Sequence, residues 1–184
     1  MRELGRQAVH LVFGLGIASI LLIPIPGLAP KIYATFLIAG LIIAEAILRG
    51  HHVPLFSTIV ETFERKETIP GKGAAYFVAA ALFSSIVYDP QTAFVAVLSL
   101  AVLDSTATIT GLTLGRHPLV NGRTLEGSAG GFFALAALLL FLLPPLAALI
   151  AAATAMLAEL LSPVDDNLVI PPVVGAVLTA LSWS

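Results

Sequence analysis

The sequence predicts an all-α, polytopic integral membrane protein with about seven transmembrane helices and its N-terminus in the cytoplasm. Three observations predict it. Of 184 residues, 58% are hydrophobic and only 11% charged, with a mean hydropathy of +1.01, whereas soluble domains carry about a quarter charged residues. Apolar segments of span-like length recur along the whole chain, separated by Pro, Gly or charge. The cations gather at alternate segment ends. Nine Lys and Arg against eleven Asp and Glu make no basic stripe, so nucleic acid is not an expected partner. The absence of cysteine excludes disulfides, Cys-ligated zinc, iron–sulfur clusters and thiol catalysis.

Measured against about 20 apolar residues for a bilayer crossing, seven segments qualify: 8–23, 32–48, 73–88, 92–114, 128–143, 146–161 and 168–183. The first follows Arg2 and Arg6, as a signal peptide would, but further hydrophobic segments follow it closely and it reads as a retained span. Between the second and third, Val53, Phe56, Val60 and Phe63 recur at three and four residues while Glu61, Glu64 and Arg65 take other positions. That pattern predicts a short interfacial helix. The fifth and sixth segments form one apolar run too long for a single crossing, and Pro144-Pro145 in its middle predicts a hairpin of two short helices. With no repeat and no polar stretch long enough for a separate domain, residues 1–184 read as one membrane-embedded catalytic domain. Arg2, Arg6, Arg49, Arg65, Lys66, Lys72, Arg116 and Arg123 all fall on one side of this arrangement and only Lys31 on the other, which sets that side in the cytoplasm.

A carboxylate within a span costs on the order of 3 kcal/mol, so each one needs a reason. Glu45 lies a turn inside the cytoplasmic end of the second segment, Asp104 near the middle of the fourth and Glu159 in the last turn of the sixth. Glu45 and Glu159 are near enough to an end to snorkel; Asp104 is not. Beyond Asp104, Ala107, Thr108, Gly111 and Gly115 continue a helical stripe with little bulk. It suits close helix packing or, alternatively, a phosphate chain or water-filled cleft beside a metal on Asp104, lined by hydroxyls of Ser105, Thr106, Thr108 and Thr110. The following loop brings Arg116, His117 and Arg123 next to Gly127, Gly130 and Gly131. The amides at Gly127-Ser128 open a helix, a natural anion site. Later in the chain, Asp165, Asp166 and Asn167 follow Glu159, an oxygen-rich group that suits magnesium or a helix cap. His10 shares a helical face with Arg6 and Gly14. The chain has no GxxxxGK[ST], no GxGxxG after a strand and no HExxH.

These segments together resemble the CTP-dependent polyprenol kinase family, which includes dolichol kinase, phytol kinase and CTP-dependent diacylglycerol kinase and is related to phosphatidate cytidylyltransferases. Arg6-x3-His10-x3-Gly14 resembles the family's RK-x2-H-x3-G, and Glu45-Ala-Ile-Leu-Arg49 its ELLR. The nucleotide motif D-x2-A-x3-G-x3-G, followed by a basic pair, T, x, E and G, falls on Asp104, Ala107, Gly111, Gly115, Arg123, Thr124, Glu126 and Gly127. The late DN with prolines falls on Asp166, Asn167, Pro171 and Pro172. Two departures stand out: Leu103 replaces the usual glycine, and Gly122-Arg123 replaces a lysine pair, a deficit that Arg116 or Lys72 would fill.

The resemblance implies an integral membrane kinase, its site facing the cytoplasm, that moves the γ-phosphate of CTP onto the hydroxyl of a long isoprenoid alcohol. Asp104, Asp166 and Asn167 are then expected on magnesium. Arg116, Arg123, Thr124 and the Gly127-Ser128 amides are expected on phosphates, and Glu126 or His10 at the acceptor alcohol. One alternative is a cytidylyltransferase acting on a lipid phosphate. Another is a transporter relaying ions through Glu45, Asp104 and Glu159, which would predict inverted repeats that the sequence lacks.

Overall fold

The computed structural model describes residues 2–54, 56–57 and 69–181. Among these, seven α-helices account for the fold: α1 (Arg2–Ile20), α2 (Leu28–Leu48), α3 (Lys72–Val87), α4 (Pro90–Leu114), α5 (Leu125–Leu139), α6 (Pro145–Leu161) and α7 (Asp166–Ala180). A short 3-10 turn, Val120–Gly122, lies between α4 and α5. The helices fall on the seven predicted segments. Pro145 starts α6 at its first turn, where a missing N–H costs nothing, so Pro144-Pro145 does separate one helix from the next. For the expected interfacial helix, Val60, Glu61, Phe63, Glu64 and Arg65 lie outside the described residues.

Helix starts follow from local chemistry. The Asp89 carboxylate accepts the N–H groups of Gln91 and Thr92 at 3.0 Å each, with Pro90 next to it at the first position of α4. Thr124 caps α5 through a bond from the Gly127 N–H at 3.1 Å, and Asp165 caps α7 through the Asn167 N–H at 3.2 Å.

The axis of the bundle is α4, which packs against α1, α3, α5, α6 and α7. Apolar on every side, it is buried over most of the stretch from Thr92 to Ala107. Its neighbour α5 runs antiparallel and comes unusually near. A Cβ added at Gly127 would stand 2.8 Å from the Ala107 carbonyl and 3.1 Å from Gly111 Cα, and one at Gly131 would stand 2.8 Å from Ala107 Cβ. At the opposite end, the Tyr88 hydroxyl donates to the Pro172 carbonyl at 2.6 Å, and its ring fills the space left by Gly175. By contrast, α2 sits at the edge against α3 and is largely exposed.

Among the described residues only α2 (21 residues) and α4 (25 residues) are long and apolar enough by themselves to cross a bilayer. Helices α3, α5, α6 and α7 are apolar but run to 15–17 residues, roughly 22–26 Å against about 30 Å of hydrocarbon. The seven spans expected from sequence are therefore, by length, two full-length apolar helices and four shorter ones, with α1 carrying charge in its first turns. Large apolar side chains nevertheless face outward: Val12, Phe133, Phe141 and Leu146 are each more than two-thirds exposed, while Glu159 is buried.

Candidate functional site

Four ionisable residues meet at the end of the bundle where α4 and α6 finish and α5 and α7 begin. Asp104 comes from the inner half of α4, Glu159 from the last turn of α6, Asp166 from the first residue of α7 and Arg123 from the loop before α5. Arg123 Nη1 lies 2.9 Å from Glu159 Oε1 and 3.7 Å from Asp104 Oδ1, while its Nη2 pairs with Asp166 Oδ2. The Glu159 side chain has no solvent exposure, and neither of its oxygens has a hydrogen-bond partner. Asp104 and Asp166 remain slightly open, so the cluster has a wet side.

One carboxylate oxygen from each of Asp104, Glu159 and Asp166 can be chosen so that all lie within 4.8 Å of one another. Three carboxylates against one guanidinium leave a formal deficit of two positive charges, which one divalent cation would cancel. An all-oxygen donor set of this kind suits a hard cation rather than a soft one. Burial disfavours the charged form of Arg123, but Glu159, Asp166 and Asp104 outweigh it and push its pKa upward. The guanidinium is thus a fixed charge.

Arg123 is held by its loop. Asn121, in the left-handed region at φ 56°, donates from Nδ2 to the Leu160 carbonyl at 3.1 Å and the Ser162 carbonyl at 3.4 Å, tying the loop to the end of α6. Asparagine tolerates that conformation better than most residues. Glu126 closes the other side, accepting the N–H groups of Arg116 at 3.0 Å and His117 at 3.2 Å and meeting His117 Nδ1 at 2.6 Å. The Arg116 amide above all, then the His117 ring, holds the Glu126 carboxyl down at about 2.

Several expected site residues are engaged elsewhere. Ala107, Gly111 and Gly115 face the start of α5 and Thr124 across van der Waals contact, so the small-residue stripe is a packing seam and not a cleft. The amides of Gly127 and Ser128, expected to be free for phosphate, donate to the Thr124 hydroxyl and carbonyl. Glu126 is spent on the loop, Lys72 lies 5.4 Å from the Tyr76 ring centroid, and Glu45 pairs with exposed Arg49 at 2.7 Å. In the place expected for Asn167, beside Asp104 and Asp166, the structure brings Glu159. The Asn167 carboxamide instead donates to Asp165 Oδ1 at 2.9 Å, leaving its own oxygen buried and unpartnered.

His10 does reach the site, its Nε2 3.4 Å from Asp104 Oδ2, with its ring edge-on to Phe77. Sequence reasoning missed Gln7, one turn before His10 and 3% exposed. The available signal was its place in a Gln7-His10-Gly14 stripe, which the more conspicuous Arg6 obscured.

The fold and this centre define an all-helical protein with a buried carboxylate–arginine cluster at one end. No family model and no solved structure matches the chain. It is 32% identical over 183 residues to uncharacterized protein MJ1137 of Methanocaldococcus jannaschii, an alignment covering 97% of this chain and 93% of the relative. The chain belongs to the family of that protein.

Proposed function

We propose that this protein is a membrane-embedded lipid kinase that transfers the γ-phosphate of CTP to the hydroxyl of a long-chain isoprenoid alcohol, working at the cytoplasmic face. The observation that carries the proposal is the meeting of Asp104, Glu159 and Asp166 around Arg123 in a largely buried setting. Phosphoryl transfer asks for gathered phosphate charge and a held geometry more than for covalent chemistry, and such a cluster suits it. Asp104, Glu159 and Asp166 would hold Mg2+, which when bound neutralises charge on the phosphate oxygens. Arg123 offers a planar fork of donors for the same oxygens once a nucleotide competes for it.

The membrane setting is supported by the outward-facing apolar side chains and by the distribution of described cations. Arg6, Arg49, Lys72, Arg116 and Arg123 belong to the end that carries the cluster and Lys31 to the other. The choice of CTP and of an isoprenoid alcohol rests on the motif resemblance.

Purified protein given magnesium and CTP labelled either at the γ-phosphate or in the cytidine, with a panel of polyprenols, phytol and diacylglycerol, tests the proposal. Lipid carrying the γ label is expected. Cytidine label in lipid would mean a cytidylyltransferase, and no label in any lipid would reject both.

A further inference from the structure

Asp104 presents two faces. Its Oδ1 looks toward Arg123 and the other two carboxylates, and its Oδ2 toward His10. On the His10 side the chemistry changes, because the carboxamide oxygens of Gln7 and Asn167 are buried there without a hydrogen-bond partner.

Gln7 Oε1, His10 Nε2 and Asn167 Oδ1 are each buried and without a hydrogen-bond partner. His10 and Asn167 border successive turns of α3, and Gln7 and His10 border the turn of α4 that carries Asp104 and Ser105. Gln7 and His10 share a face of α1, anchored where Ser105 Oγ donates to the Gln7 carbonyl at 3.4 Å and His10 meets Asp104, the residue before Ser105. Asn167 Nδ2 lies 3.8 Å from the position a Cβ would take on Gly73, and Phe77, one turn further along α3, packs edge-on against His10 with centroids 5.3 Å apart. Phe13 meets Phe77 on the same side and is 41% exposed, so an apolar edge leads outward from this place. Buried polar groups are rarely left unpaired, since each pays its desolvation without return. Two of the three are carboxamide oxygens, which only accept.

We propose that Gln7, His10 and Asn167 form a subsite for an uncharged hydrogen-bond donor, the hydroxyl of the lipid acceptor, on the face of Asp104 opposite Arg123. This rests on the kinase reading for the identity of the donor as an alcohol. Phosphate is disfavoured on this side, where the Asp104 carboxylate and the unpartnered carboxamide oxygens would face its oxygens. An alcohol donates its one hydrogen to a carboxamide oxygen, that of Gln7 in this arrangement, and its chain leaves past Phe77 and Phe13. Gln7 is then a binding residue that the nucleotide does not touch.

Equilibrium binding of a tritium-labelled polyprenol and of its methyl ether, of equal chain length, to the purified full-length protein in detergent tests the inference. The wild type should hold the alcohol about tenfold more tightly than the ether, the worth of a well-made hydrogen bond. Gln7→Leu should bind both alike while its affinity for magnesium–CTP is unchanged, and Gln7→Met serves the same purpose if the leucine variant does not fold. Equal binding of alcohol and ether by the wild type would mean that water alone fills the subsite, and a Gln7 variant that keeps the preference would remove Gln7 from it. Either result overturns the inference. Transfer of the γ label judges the kinase reading separately: preference for the alcohol without transfer sinks the kinase alone, and transfer without preference sinks the subsite alone.

Discussion

Among the described residues Arg123 is the only arginine or lysine paired with Asp104, Glu159 and Asp166, and it contacts them through two different nitrogens. Lysine has one ammonium and no fork, so Arg123→Lys keeps charge yet cannot span the same oxygens. It should lose roughly 1–3 kcal/mol of transition-state stabilisation, about tenfold or more in kcat/KM for the nucleotide. Arg116 touches Glu126 only through its backbone amide, so Arg116→Lys should stay near wild type. Equal, near-wild-type kinetics for both would remove this loop from phosphate binding. Asp104→Asn keeps shape but loses the charge that a metal needs. The variant should fold, judged by its circular dichroism and elution as a single species, and show no turnover at any magnesium concentration. Wild-type activity with unchanged magnesium dependence would put Asp104 outside the site.

At the scale of elements, the seam between α4 and α5 and the loop joining them determine where Arg123 stands. Gly127→Ala places a methyl 2.8 Å from the Ala107 carbonyl, and overpacking of that kind costs about 1–3 kcal/mol. Gly16 has open space around its Cβ position, so Gly16→Ala should leave stability unchanged or raise it by up to about 1 kcal/mol through helix propensity. Thermal melts of the two variants side by side check this, and equal Tm values would show that the helices do not meet through these glycines. The loop carries a pH signature. Because the folded state holds the Glu126 carboxyl down at about 2 against an ordinary 4.5, its contribution is complete above 4.5 and lost as pH falls toward 2. Wild type should therefore be more stable than Glu126→Gln at neutral pH, and the two should converge on acidification through that window. A constant difference across it would contradict the clamp of Glu126 on Arg116 and His117.

For the whole molecule, a topology follows from the alternation of helices: the loop around Asn121 and the turn after α2 share one end, and the α1–α2 turn lies at the other. The chain has no cysteine, so single cysteines can be introduced at Gly50, Asn121 and Gly27 in intact cells. A reagent that cannot cross membranes should label only the one at Gly27 from outside. Labelling at Asn121 from outside would overturn both the cytoplasmic orientation and a nucleotide site there.

Seven helices, the break at Pro144-Pro145 and the depth of Asp104 within its helix were legible in the sequence. Apolar runs, prolines and charges in apolar settings act locally, and their physics needs no knowledge of neighbours. Which groups meet was not legible. Glu159 reads from sequence like a helix-end carboxylate free to reach water, and only the close approach of α6 to the Arg123 loop buries it. Gly111 and Gly127 read equally well as a phosphate cradle or as a packing seam; the contact between two separate helices decided for the seam. Glu126 and Thr124 looked available for ligands until the backbone amides of their own loop and helix claimed them. Composition and periodicity specify elements, because each element's hydration and hydrogen bonding are settled within a few turns. The pairing of buried charges is decided by how helices cross, a property of the packed bundle that no single segment contains.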